Sequence, residues 1–314
     1  MSEQVVIGVD AGGTSTRCLV AALDGRVRAR ARAGGANQRS SADPEAALGQ
    51  AVGEALHLAG PVSVVGGVFG VSGAGAAGHG HAEDIALRAW KGLGLPGTPH
   101  VGDDITVAFA AGSAAGDGVV LISGTGAVAA RLYGGEVVRR CDGYGWWLGD
   151  EGSAVWLATE GVRAALAALD GRGRPTVLVD LIAAALGVAR GRPQAIIGAV
   201  YQIAPAELGR LAPEVSEAAR AGDEVAAAIT ASAAERLLAG FAAVAPEIEP
   251  GPVVLSGAVL ATGPVADLVR EGLTRRFGIT AVGAAPGEFG AAGLALRRNG
   301  QSILAHARLI DGVR

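Results

Sequence analysis

The sequence predicts an α/β fold in two domains, built from two similar halves, and three observations carry that expectation. The stretch Val5 to Thr16, VVIGVDAGGTST, reads as a buried strand closed by Asp10 and followed by a tight turn at Gly12, Gly13 and Thr14. At a constant offset of 110 residues, ISGTGAVAARLYGGEV (Ile122 to Val137) repeats the layout of VDAGGTSTRCLVAALDGRV, with Gly25 falling on Gly135 and Val27 on Val137. Further buried strands alternate with alanine-rich helical stretches, as in a sheet covered by helices. Two halves opening on the same hairpin imply a duplicated fold with a similar loop in each half and a cleft between them.

The first turn is shaped for an anion. Glycines let backbone N–H groups converge without Cβ atoms in the way, and Thr14 adds a hydroxyl donor. Asp10 would repel phosphate directly but can hold a Mg²⁺ that bridges to it. One such turn alone reads equally well as an ordinary hairpin; the second copy, at Ser123, Gly124, Thr125 and Gly126, favours phosphate. Lys91 is the only lysine and no GxxxxGK[ST] string exists, so a P-loop is excluded. Backbone amides, hydroxyls and metal must bind any phosphate.

In chain order, Arg26 to Ala33 reads as a third strand, followed by the polar loop GGANQRSS with Asn37. Asp43 and Pro44 open a helix to about Ala59. Ser63 to Val71 is a strand, after which Gly73, Gly75 and Gly78 spell the dinucleotide fingerprint GxGxxG, out of place because a Rossmann domain carries it at its first strand. His79 and His81 form an HxH without a third ligand and read as solvent-facing. A helix from Glu83 to Leu93 and the short strand PHV lead to Asp103 and Asp104. These adjacent acids either cap the helix ITVAFAAG or belong to a site at the strand's end. GDG at 116 to 118 marks a boundary.

The second half opens on VVLISGTG and its hairpin, then CDGYGWWLGDEGSAVW. Gly143, Gly145, Gly149 and Gly152 allow close backbone approach to a ligand, and Tyr144, Trp146 and Trp147 either offer ring faces to a sugar or belong to the core. Asp150 and Glu151 begin a long helix. From Gly152 to Ala245 the chain is almost all helical, and Pro252 to Leu255 is a late strand ending at Ser256, Gly257 and Ala258. The tail EFGAAGLALRRNGQSILAHARL reads as one helix crossing back to the first domain. The expected domains are 1–117, 118–290 and a returning segment 291–314.

Composition narrows the function classes. With 314 residues, 50% hydrophobic and 18% charged, the chain can bury a large core. A net charge of −4 with scattered basic residues argues against nucleic acid as a partner. No window reaches ~18 uninterrupted apolar residues, and MSEQVVIGVD lacks a signal-peptide pattern, so no membrane association and a cytoplasmic location are expected. Cys18 and Cys141 are the only cysteines and lack CxxC spacing.

Together DAGGT, the Asp103–Asp104 pair, SGTG, CDGYGWWLGDEGSA and LSGAV resemble the sugar-kinase, actin and Hsp70 ATPase superfamily. The resemblance implies a two-domain actin-like (ribonuclease H-like) ATPase fold, with duplicated βββαβαβα halves and a central ATP/sugar cleft. Within it the chain looks most similar to amino-sugar kinases of the N-acetylglucosamine kinase type, which share a domain family with the activating ATPases of benzoyl-CoA reductase and related dehydratases.

The resemblance implies ATP and Mg²⁺ as cofactors, with Asp10, Gly12, Gly13 and Thr14 as the first phosphate motif, Ser123 to Gly126 as the second, and Ser256, Gly257 and Ala258 at adenosine. Asp104 matches the catalytic acid, although Asp103 stands where that family has asparagine and Ile105 where it has alanine. Asn37, Thr125, Gly143, Tyr144 and Asp150 match sugar-contacting positions, and Asp103 adjoins them. Asp142 stands where a small residue is expected near the sugar's 2-substituent. A carboxylate there favours the ammonium of glucosamine over an acetamide, unless Asp142 is a solvent-facing turn residue. The expected activity is phosphoryl transfer from ATP to the 6-hydroxyl of glucosamine, or else of N-acetylglucosamine. An activating ATPase would need thiolates for a cluster, and a sugar-responsive repressor a helix-turn-helix ahead of the first motif. The Ala-rich helices could bury a homodimer interface.

Overall fold

The computed structural model describes residues 2–13, 15–36, 43–71, 79–245 and 251–313, whose strands form two five-stranded sheets. In the first, β1 (Glu3–Ala11), β2 (Thr16–Ala22) and β3 (Val27–Ala33) pair antiparallel in succession. α1 (Pro44–Ala59) starts where the Asp43 carboxylate accepts from the Ala46 N–H at 2.9 Å, with Pro44 supplying a preset φ. β4 (Val62–Val71) lies parallel to β1, and after α2 (His79–Gly92), β5 (His100–Asp103) lies parallel to β4. α3 (Asp104–Ala110) leaves directly from β5, and the strand order is β3-β2-β1-β4-β5.

The second sheet repeats that connectivity. β6 (Gly118–Ser123), β7 (Ala127–Tyr133) and β8 (Glu136–Asp142) come first. The helices α4 (Ala154–Leu169), α5 (Leu178–Leu186), α6 (Pro193–Val200), α7 (Ala212–Arg220) and α8 (Glu224–Val244) follow. β9 (Val253–Ser256), α9 (Ala258–Ala261), α10 (Pro264–Phe277) and β10 (Val282–Gly283) complete it, in the order β10-β9-β6-β7-β8. Gly25 and Gly135 turn the corresponding hairpins at φ of 89° and 86°, a left-handed conformation that glycine adopts freely.

Contacts divide the chain into two units. One contains Met1–Gly118, Leu132–Val137 and Ala284–Arg314, the other Val119–Arg131 and Val138–Gly283. In the first, Val5, Ile7 and Val9 pack with Leu48, Ala51 and Val52 of α1. Val6, Leu19 and Val68 meet Ala292, Ala295 and Leu296 of α11 (Gly287–Arg298) on the other face. α11 lies so close that a Cβ on Gly8 would strike its backbone at Ala292, and one on Gly290 would strike the Val107 carbonyl of α3. The tail, read from sequence as one helix, is two: Gly300 takes φ 74° after α11, and Ser302 caps α12 (Ile303–Asp311). In the second unit Ala233, Leu237 and Phe241 of α8 pack into the core with Leu121 and Ala129. α8 has the length and hydropathy of a membrane span, and these contacts account for its apolar character.

Candidate functional site

In the first unit, acids collect where parallel strands end. Ala11, Val71 and Asp103 stand in register across β1, β4 and β5, placing Asp10 and the Asp103–Asp104 pair at one edge of the sheet, ~10 Å apart by strand spacing. Asp103 is a cap: its carboxylate accepts from the Ile105 N–H at 2.8 Å. Asp104 is the first residue of α3 and does not fill that role.

Asp10 sits opposite Arg17, whose guanidinium is 3.9 Å from its carboxylate. Burial pushes the Asp10 carboxyl up to about 6, against the pull of Arg17, and Glu288 adds to the rise. A Cβ on Gly287 would lie 2.5 Å from Asp10 Oδ2, so α11 begins against this carboxylate. Glu288 is buried, pairs with Arg30 at 2.5 Å through one oxygen and leaves the other without a partner. Its sequence signal is an acid in an otherwise Gly/Ala-rich helix. Gly12 donates its N–H to the Ser15 carbonyl at 3.0 Å, closing the first turn. Thr14 and Asn37 lie outside the described residues, as do Gly73, Gly75 and Gly78.

In the second unit three small-residue turns converge. Ile122 pairs with Ser256, so the turns after β6 and β9 are neighbours, and Gly257, at φ 94°, lies where any Cβ would strike the Ser123 carbonyl. Ser123 Oγ donates to the Gly152 carbonyl at 2.9 Å, and Ala154 N–H donates to the Gly124 carbonyl at 2.8 Å. The start of α4 is thereby fixed beside the turn. A Cβ on Gly124 would meet only Gly257 Cα, at 3.9 Å, leaving open space above the turn. Thr125 is exposed there, and Ala258 begins α9. This is a cradle that a side chain would fill, which fits the phosphate role expected of it. The donor set at Asp10 fits Mg²⁺, which takes one or two carboxylates and completes its shell with water and phosphate.

The loop after β8 has its own construction. Asp142 and Asp150 are the two non-glycine residues with positive φ among the described residues, 66° and 55°. Asp142 Oδ1 accepts from the Asp150 N–H and Oδ2 from the Glu151 N–H, each at 2.8 Å. Arg140 closes the other side by donating to the Gly143 carbonyl at 2.8 Å. Asp150 is buried, and its carboxylate accepts from the Ala127 N–H at 3.2 Å and lies 2.9 Å from a Cβ built on Gly126. Burial raises its pKa, the Ala127 bond opposes this, and the Asp142 charge adds to the rise. Tyr144, Trp146 and Trp147 are exposed, Trp147 by 84%, so these rings are not core. Asp142 therefore does not face solvent as a bare turn residue; its carboxylate holds the backbone that presents Asp150.

The family model described as the BadF/BadG/BcrA/BcrD ATPase family matches residues 7–295. Over 253 residues the chain is 29% identical to the N-acetylmuramic acid/N-acetylglucosamine kinase of Clostridium acetobutylicum, covering 76% of this chain and 78% of that one. A crystal structure of a candidate N-acetylglucosamine kinase from Chromobacterium violaceum superimposes with a TM-score of 0.77 at 28% identity, over 94% of this chain and all of that one. A ROK family glucokinase from Streptomyces griseus, solved with glucose and AMPPNP, shares the fold with a TM-score of 0.60 at 22% identity, over 93% and 99% of the two chains.

Proposed function

The chain belongs to the BadF/BadG/BcrA/BcrD ATPase family, and on that premise we propose that it is an ATP-dependent kinase acting on the 6-hydroxyl of an amino sugar. The observation that carries this reading is Asp150, a buried carboxylate held in a left-handed conformation and aimed beside the Gly124–Gly126 turn. A pyranose offers adjacent hydroxyls that such a carboxylate accepts as a pair. Tyr144 and the exposed tryptophans stand next to it in sequence with free ring faces.

The roles follow from the chemistry of phosphoryl transfer. Gly124 and its turn cradle phosphate oxygens, and Asp10 is the residue that would hold a magnesium ion, which would supply positive charge to offset that of the phosphates. Asp104 accepts the proton of the 6-hydroxyl as its oxygen bonds to the γ-phosphorus and the bond to the bridging oxygen of ADP breaks. Ser256, Gly257 and Ala258 flank the base and ribose. Location in the cytoplasm and assembly as a homodimer belong to the same proposal.

The expectation of glucosamine rested on a carboxylate directed at the sugar's nitrogen. Because Asp142 accepts from two backbone N–H groups, we take N-acetylated sugars as the better substrates, in line with the Clostridium relative, an N-acetylmuramic acid/N-acetylglucosamine kinase. The activating-ATPase reading has weaker support: Cys18 is wholly buried, burial pushes its thiol up, and Cys141 lies in the other unit. ADP release measured over glucose, glucosamine, N-acetylglucosamine and N-acetylmuramate tests the proposal. Turnover with none of them would overturn it.

A further inference from the structure

α12 reaches the helix of the assigned base through a buried ring. His306 is 2% exposed, and its Nε2 lies 2.8 Å from the Ala110 carbonyl at the far end of α3. A carbonyl only accepts, so Nε2 carries the proton and the ring donates. Burial pushes the His306 pKa down, against the pull of the Ala110 bond, and Arg297 of α11 adds to the fall, so the ring is neutral at neutral pH. Its other nitrogen, Nδ1, is buried without a partner. Gly293 of α11 makes the room, since a Cβ there would strike the imidazole. An apolar side chain of similar size would fill this space without burying an unpartnered nitrogen, so packing alone does not account for a histidine. The bond to Ala110 does. That carbonyl is among the last four of α3, which a helix leaves without donors of its own.

α3 has seven residues, Asp104 to Ala110, and is about 10 Å long by the helical rise. Its first end is set by the Asp103 carboxylate, which accepts from the Ile105 N–H at 2.8 Å. Its last end is held from the segment after β10: His306 donates to Ala110, and the Ala285 N–H donates to the Ala111 carbonyl at 2.9 Å. Between the two ends, Gly290 of α11 lets the Val107 carbonyl approach backbone to backbone. All of these residues belong to the first unit. A two-turn helix moves as a rod, so the seat of its last turn decides where Asp104 stands. We propose that His306 is a positioning residue for phosphoryl transfer: it fixes α3 through the Ala110 carbonyl and so holds the Asp104 carboxylate in place for the reaction. The inference rests on the reading of Asp104 as the base and names what supports that residue.

His306→Met fills the space and loses the donor, whereas His306→Gln keeps an amide N–H near the position of Nε2. Initial-rate kinetics with MgATP and N-acetylglucosamine should give a kcat about tenfold or more lower in His306→Met, the scale of a misplaced reacting group, with both KM values within about twofold of wild type. His306→Gln should recover most of that loss. In an Asp104→Asn background His306→Met should cost almost nothing further, because the group it positions is gone. Hydrogen exchange of the protein without nucleotide should be faster across α3 in His306→Met than in wild type or His306→Gln. Unchanged kcat in a folded His306→Met would overturn the proposal, as would equal losses in the two variants or a full additional loss on Asp104→Asn. Should His306→Met not fold, His306→Leu, which is smaller, is read in the same way. If Asp104→Asn keeps the wild-type kcat, the base reading fails and takes the catalytic part of the proposal with it, while exchange across α3 decides the anchoring; if Asp104→Asn is inactive and His306→Met is not slowed, the positioning role fails alone.

Discussion

Replacing Asp142 separates two roles for its carboxylate. If it holds the loop, its loss weakens every sugar that uses Asp150; if it faces the sugar's nitrogen, its loss weakens glucosamine alone. The two backbone bonds at 2.8 Å run to a charged acceptor, a class that contributes ~1.5–3 kcal/mol each, and half-exposure puts these at the low end. Asp142→Gly removes about 3 kcal/mol of such contacts and regains about 1 kcal/mol by relieving a left-handed non-glycine residue, a net loss of about 2 kcal/mol. If that loss falls on the presentation of Asp150, KM rises on the order of thirtyfold. Asp142→Asn keeps one acceptor and tolerates the backbone, so its effect should be about half as large in free energy. The assay is initial-rate kinetics with glucosamine and N-acetylglucosamine at saturating MgATP. The ratio of their kcat/KM values should be the same in wild type and both variants, and a tenfold fall confined to glucosamine would refute the reasoning.

Five further variants have stated outcomes. Asp104→Asn should lower kcat by ~10²–10⁴ with nucleotide affinity retained in equilibrium binding, whereas Asp103→Ala, which removes the α3 cap, should cost about 1 kcal/mol of stability in chemical denaturation and leave most of kcat. Gly124→Val should abolish ATP binding in a folded protein, since its Cβ meets open space. Gly126→Val should instead displace the Asp150 carboxylate and damage sugar binding, measured by separate titrations. Asp10 has a native pKa raised to about 6 from 3.8, so the native state binds its proton more tightly than the unfolded chain. Stability from this group is therefore greatest below about pH 4 and is lost as pH rises through 6. In thermal melts without nucleotide, Asp10→Asn should be more stable than wild type at pH 7, by about 1–2 kcal/mol after allowing for its one-third exposure, and should lose the added stabilisation by MgATP.

The repeated hairpins were legible because their signals are local. Continuous runs of apolar residues set β1 and β6 as buried strands, and glycines at 25 and 135 adopt the same left-handed turn in both halves. The Asp103–Asp104 pair was legible as a choice between cap and site, and the structure divides it, with Asp103 as the cap. The break in the tail was also local, in Asn299–Gly300 with Ser302 beyond, but the apolar periodicity on both sides outweighed it. The role of Asp142 was not legible: its partners are backbone N–H groups eight and nine residues away, which no residue type announces. Glu288 was hidden for a related reason, since its meaning depends on Arg30 and Asp10, both far away in sequence.

The central claim is that ATP turnover is directed to a sugar hydroxyl with Asp104 as the base. The most direct measurement is product analysis by phosphorus NMR after incubation of the purified protein with MgATP and N-acetylglucosamine, in wild type and Asp104→Asn. The account predicts one equivalent of a sugar 6-phosphate per ADP in the wild type, and neither product in the variant over the same interval. ADP and inorganic phosphate formed at the same rate with and without sugar, with no phosphorylated sugar, would contradict it.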